Sequence, residues 1–380
     1  MNEMRERPFE YLRKKENGSK FKDELVRNWY IARAYILDKL NNIAYKPSSC
    51  EHLQVAVMDD SPLMLCVVRQ VALSAHYINY DEDNEDESLR NRTVIILVST
   101  NPKIKMELEK EEYLCNLPKY CRYKESNSNV LNEDSYIDIE IQVKSELSDE
   151  DKSNCSFVLT KEDVEAFCKL KEKIGEDIFS IDTRKAVYAS RMYSLGAVID
   201  NLPAEDIHCA SRYVMALDVF QYSKLKEIPR PLMAECNCNN QSRVKECISN
   251  IFCSDCFESR CLSIQLCSNE DPEREKEIWG DYNRVLSKSE HARWVVEKLI
   301  MGYTPFSREQ RFKDESLSYV PKKRNLYRKA LKNDSKHPSH IDLCSYTDLR
   351  RINPADLKYD SFLMLAIPII LKKVREEYKR

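Results

Sequence analysis

The spacing of apolar residues changes near residue 47. Before it, in FKDELVRNWYIARAYILDKL, Leu25, Trp29, Ala32, Ile36 and Leu40 recur at helical spacing, so residues 1–46 read as an N-terminal helical segment. After it come HLQVAVMDDS (52–61), a short apolar run ending in polar turn residues, and PLMLCVVRQVALSAHY (62–77), a helix with proline in its first turn. RTVIILVST (92–100) is rich in β-branched residues and predicts a buried strand. NPKIKMELEKEEYL predicts another helix, and SYIDIEIQV (135–143) alternates as a strand does. Strand, helix, strand, helix, strand implies a right-handed parallel α/β unit, Rossmann-like in topology, over residues 47–150.

Residues 151–225 predict a helical region. One of its helices opens at Thr160 with Asp163 three residues on, a capping-box start. Residues 226–272 are polar, lack clean periodicity and hold seven cysteines, which marks an insertion or linker. Helical spacing resumes over 273–380, interrupted by a long basic loop at 304–340. In SEHARWVVEKLIMGY (289–303), Ala292, Val295, Val296, Leu299 and Tyr303 form the stripe a helix buries. Trp294 falls on the opposite side, among Glu290, His291, Glu297, Lys298 and Met301. Either a second element covers that indole or it meets a ligand. Arg293 reads as a solvated or ion-paired residue.

Composition narrows the function classes. A net charge of −3 over 380 residues gives no bulk attraction to nucleic acid or to an anionic membrane. The longest apolar run, FLMLAIPIIL (362–371), is too short to span a bilayer and contains Pro368. The first residues carry charge but no apolar signal core, so a cytoplasmic protein with reduced thiols is expected. Only five glycines occur, none near another, so neither a GxGxxG fingerprint nor a P-loop is present and no glycine-rich NAD or ATP site is expected.

Three places hold candidate chemistry. In a parallel sheet, ligands bind at the carboxyl ends of strands. Here that turn is MDDSP, where Asp59, Asp60 and Ser61 either cap the helix, accept a ribose hydroxyl or hold a cation. Two aspartates would repel a phosphate. In the cysteine-rich stretch, Cys236 with Cys238 and Cys253 with Cys256 supply the four thiolates a structural zinc requires; the alternative is a loop of free thiols. In the basic stretch RFKDESLSYVPKKRNLYRKALKNDSKH, cations with interleaved tyrosines form either a solvated face or a surface for nucleic acid or a phosphorylated ligand. The run DEDNEDE (81–87) reads as a solvated acidic loop.

His291, Trp294, Gly302 and Tyr303, followed by His340, Leu343, Tyr346, Leu349, Tyr359 and Asp360, resemble the order and spacing of a ryanodine-receptor repeat (RyR) domain over roughly residues 287–375. Tyr303 stands where tryptophan is commoner, and the intervening loop is long. Bacterial RyR modules often follow a degenerate Rossmann-like (TrkA-type) domain, and the unit at 47–150 is similar in position. The resemblance implies an α/β chain with a Rossmann-like parallel sheet, a helical linker region and a small, mostly helical C-terminal domain. It further implies a cytoplasmic, non-catalytic sensor of a small anionic nucleotide or nucleotide-derived second messenger. Its output would pass to an effector protein, and homo-oligomerisation stays open. The expected ligand contacts are His291, Trp294, Lys298, Tyr303 and Tyr346. Two other classes stand beside it: a metal-dependent nucleotide-processing enzyme using Asp59 and Asp60, and a structural assembly subunit.

Overall fold

The computed structural model describes residues 24–86, 89–125, 136–175, 252–268, 282–334 and 336–357, with residues 178, 249, 359, 360 and 364 beside them. Elements are numbered in chain order among these residues. Five strands form one parallel sheet: β1 Gln54–Val57, β2 Thr93–Val98, β3 Arg122–Glu125, β4 Ile139–Lys144 and β5 Phe157–Leu159, in the order β3-β4-β2-β1-β5. From β1 the chain adds β2 beside it, lays β3 at the far edge, returns to insert β4 between β2 and β3, then crosses back to place β5 on the free side of β1. That reversal puts the carboxyl end of β1 at a topological switch point. The three strands expected from the sequence are present. The two additional ones are sheet edges, and RYKE and FVL are too polar or too short to show as buried strands.

Register places Phe157, Val55, Ile95, Ile141 and Tyr123 in one row across the sheet. Val55, Ile95, Ile141 and Tyr123 face the main core together with helices α1 (Glu24–Leu40) and α2 (Pro62–Ser74), and Phe157 packs at its margin. The opposite face carries a smaller cluster of Ala56, Val94, Ile96 and Leu147. Helix α2 is apolar on nearly every side, and Met64 to Ser74 are all buried between sheet and α1. The helix predicted after β2 is shorter than its pattern, α3 (Ile104–Leu108), and α4 (Leu117–Tyr120) leads into β3. After β4 come α5 (Asp149–Asn154) and α6 (Lys161–Lys173). The latter starts with the expected reciprocal bonds between Thr160 and Asp163.

The core does not stop at the α/β unit. Helix α7 (Phe257–Ser268) and the residues before it come from the stretch that reads as an insertion or linker. Yet Phe252 packs on Trp29 of α1 at 6.3 Å, and Arg33 forks onto Asp255 at 3.0 and 2.5 Å. Helix α8 (Asn283–Ile300) adds Val295, Val296, Leu299 and Ile300 to the same main core. It ends in a Schellman turn: Gly302 has φ +84°, the Tyr303 amide donates to Lys298, and the Gly302 amide donates to Leu299. That turn drives Tyr303 inward, where Asn116 Nδ2 donates to its carbonyl at 2.9 Å. The Gly–Tyr pair at the helix end thus has a local cause.

The stretch read as a basic loop is a helical hairpin, α9 (Arg308–Ser316) and α10 (Pro321–Lys332). Its base is closed by a two-residue ladder, β6 (Thr304–Pro305) with β7 (Ser339–His340). Its interior is an ion clamp: buried Asp314 accepts from Arg324 Nε and Nη2 at 2.9 and 2.6 Å and from Arg328 Nε and Nη2 at 2.6 and 2.8 Å. Helix α11 (Tyr346–Ile352) follows. The acidic run 81–86 is not simply solvated. Glu82 accepts from the amides of Tyr346 and Thr347 at the start of α11, and Asp81 and Asp83 bind Lys288 of α8 at 3.1 and 2.6 Å. Among the described residues no helix is long and apolar enough to cross a membrane.

Candidate functional site

The polar side of α8 explains where Trp294 sits. Glu290, His291, Arg293 and Glu297 are buried as completely as the apolar stripe, so α8 has no solvated charged face beyond its first turn. Unpaired charges would not survive there. Arg293 forks onto Glu290, with Nε at 3.1 Å and Nη2 at 2.8 Å from Oε1, and its Nη1 meets Glu297 Oε2 at 2.7 Å. Arg260 of α7 reaches Glu290 Oε2 at 3.0 Å, Ser249 donates to Glu297 Oε2, and Lys298 donates to Glu297 Oε1 at 2.6 Å. Arg293 is therefore ion-paired, but in the interior. Burial alone would raise the Glu290 carboxyl; the charges of Arg293 and Arg260 outweigh it and bring the pKa down to about 2.

Trp294, like Lys298 and Met301, is a partly exposed residue of this face. A second element does cover part of it. His340 of β7 meets the indole at 5.1 Å with the rings at 78°, and His291 stacks on it at 6.0 Å with the planes 23° apart. The Lys298 ammonium lies 5.6 Å from the ring centroid. Tyr346 reaches the cluster through His291, edge-on at 5.8 Å. Of the five expected ligand contacts, His291, Trp294, Lys298 and Tyr346 are thus brought together. Tyr303 is instead buried in the main core.

The two imidazoles are in opposite states. His291 Nε2 donates to the Cys344 carbonyl at 2.9 Å, and its Nδ1 shares a proton with Asp360 Oδ2 at 3.2 Å. Burial by itself would lower its pKa; the hydrogen bond and charge of Asp360, together with the Cys344 side chain, overcome that and hold it well above 6.5. Burial lowers His340 well below its usual value, and Lys332 and Lys298 add to the effect. The Asp342 amide donates to His340 Nδ1 at 3.2 Å, which fixes a neutral ring protonated at Nε2. Burial, then Asp356, pushes the Asp342 carboxyl up to about 7. Asp342 leaves no trace in the pattern that singles out the tryptophan, since one carboxylate in IDLCSY reads as a surface residue.

These shifts set a pH profile. His291 and Asp342 have folded pKa values above their unfolded ones, so their contributions are complete at low pH. They are lost as pH rises through the folded values, beyond 6.5 for His291 and toward about 7 for Asp342. Glu290 works the other way: its contribution is present above 4.5 and lost as pH falls toward about 2. The thermal midpoint should therefore peak at about pH 4–5 and decline as pH rises, with Asp342 up to about 7 and with His291 above 6.5. His291→Gln should flatten that decline in a calorimetric pH series. An undiminished slope in the variant would show that the imidazole does not carry it.

At the sheet's carboxyl edge, Asp59 Oδ1 accepts from the Ser61 amide at 2.7 Å, and Asp60 Oδ2 accepts from Ser99 Oγ at 2.6 Å. Each carboxylate thus has one oxygen engaged in shaping the turn. Ser61 occupies the cap position of α2, but its hydroxyl makes no capping bond and is buried without a partner. In the cysteine-rich stretch, Cys253 Sγ accepts from Arg260 Nη1 at 3.7 Å and Cys256 Sγ donates to the Ser74 carbonyl at 3.5 Å. Cys236 and Cys238 lie outside the described residues. A zinc held by all four would have to draw both described thiols from these partners. No family model matches the chain, and it has no match among curated proteins or solved structures.

Proposed function

We propose that the chain is a ligand-sensing regulatory protein, non-catalytic, which binds a small anionic nucleotide or nucleotide-derived second messenger beside Trp294, in an RyR-like C-terminal segment. One observation carries the reading: a partly exposed indole, braced by His291 and His340, lies next to the Lys298 ammonium. A base stacked on such a surface gains roughly 1–3 kcal/mol, and the lysine meets phosphate. Stacking over the ring requires the Lys298 arm to leave Glu297 for the ligand, which transfers a charge from the buried network to the bound molecule. A ligand that favours the rearranged network shifts the population toward it. Asp81 and Asp83 hold Lys288 of α8 while Glu82 holds the start of α11, which is the contact through which a shift of α8 would reach α11.

Thermal-shift titration with linear and cyclic nucleotides tests this. Binding should raise the midpoint in proportion to RT ln(1 + [L]/Kd). Trp294→Ala should weaken it by more than ~1 kcal/mol while the protein stays folded. Unchanged affinity in the folded variant would remove the pocket. The position of Asp59 and Asp60 at the switch point favours the second reading, a metal-dependent nucleotide-processing enzyme. Magnesium-dependent turnover that disappears in Asp60→Ala would establish it instead.

A further inference from the structure

We propose that the outer face of the α9–α10 hairpin binds single-stranded nucleic acid. The charge balance of the whole chain conceals this surface. Residues 308–336 hold ten Lys and Arg against four Asp and Glu, in a chain whose net charge is −3. Asp314 is buried in the clamp with Arg324 and Arg328, so setting all three aside leaves eight Lys and Arg against three Asp and Glu. Lys322, Lys323 and Lys329 are exposed and hold no carboxylate among the described residues. Between and beside them stand exposed apolar side chains: Phe312 is 76% exposed, Tyr319 92% and Leu326 61%.

Two features select the occupant. The cations and the aromatic rings occur together, which suits a polyanion whose bases are free to stack; a duplex presents its phosphates but keeps its bases in the stack. The apolar groups are also isolated. Lys322, Leu326 and Lys329 share one stripe of α10, so the leucine is flanked by charge, whereas a helix lying in a bilayer interface needs a continuous apolar face. The clamp and the β6–β7 ladder hold the hairpin's shape before any partner arrives, which lowers the ordering cost of binding. This surface is independent of the sensor reading at Trp294.

The test is fluorescence anisotropy of the full chain with labelled oligo(U) and oligo(dT), a duplex of equal length, anionic phosphatidylserine vesicles and a poly-glutamate peptide as separate arms. Single strands should bind more tightly than the duplex, with affinity falling as salt rises. Charge reversal at Lys322, Lys323 and Lys329 together should cut affinity at least about tenfold and flatten the salt dependence. Phe312→Ala with Tyr319→Ala should cut it roughly tenfold and leave the salt slope unchanged. All five side chains are exposed, and circular dichroism verifies that the fold persists. Equal affinity for duplex, capture by vesicles or peptide in preference to single strands, or indifference to the lysine reversals would each overturn the proposal.

Discussion

Arg293→Ala should be among the most damaging single substitutions in the chain, costing about 3–5 kcal/mol. The guanidinium is the hub between Glu290 and Glu297, all three side chains at most 3% exposed. Removing it leaves Glu297 to Lys298 and Glu290 to Arg260, and opens a cavity the size of an arginine side chain in the middle of α8. Both carboxylates would then take up protons in the folded state far more readily. Acid destabilisation of the variant should accordingly be weaker than that of the parent, because less of its stability depends on ionised Glu290. Arg284→Ala, on the same helix, supplies the comparison. Arg284 is 62% exposed and lies 3.5 Å from Asp83, so its loss should cost less than ~1 kcal/mol. Urea unfolding reads both, as a shift in midpoint at unchanged slope. A cost below ~1 kcal/mol for Arg293→Ala would mean that water reaches this network in solution.

The sheet was legible because buried parallel strands leave continuous apolar runs, as in QVAV and TVIILV, and because Pro62 marks the start of α2. The stripe of α8 was legible for the same reason. Its other side was not. Glu290, Arg293 and Glu297 carry the pattern of a solvated face, and they are buried because partners arrive from elsewhere in the chain, Arg260 from α7 and Ser249 before it. Hydropathy cannot register a charge neutralised by a residue thirty positions away. The hairpin at 308–332 was hidden likewise, since an Asp314 clamp rather than an apolar seam forms its interior. The acidic run near residue 82 looks solvated until α11 and Lys288, more than two hundred residues on, are placed against it. At the candidate site the indole was conspicuous by position. Its two imidazoles acquired opposite protonation states only from distant partners, Asp360 and Cys344 raising one while burial with Lys332 and Lys298 lowers the other.

Phe252→Ala should cost about 3–5 kcal/mol, the usual range for deleting a buried aromatic ring. The residue belongs to the stretch whose composition reads as a linker, so the experiment separates two accounts of residues 252–268. In one, the segment is a tether and the ring is dispensable. In the other, it is a wall of the main core. Phe252 is 4% exposed and meets Trp29 at 6.3 Å, while Trp29 carries the buried Arg69 guanidinium 4.0 Å from its ring. Arg69 donates to the carbonyls of Glu111 and Glu112, and burial brings its pKa down to about 9. A cavity at Phe252 would loosen Trp29 from the face it shares with that cation, adding a polar penalty to the lost apolar contact. Leu170→Ala, on a residue 56% exposed, removes apolar atoms without making a cavity and should change stability by less than ~0.5 kcal/mol. If Phe252→Ala proves as mild as Leu170→Ala, α7 is not part of the core. The Arg260–Glu290 pair, which depends on that docking, would then lose its structural basis as well.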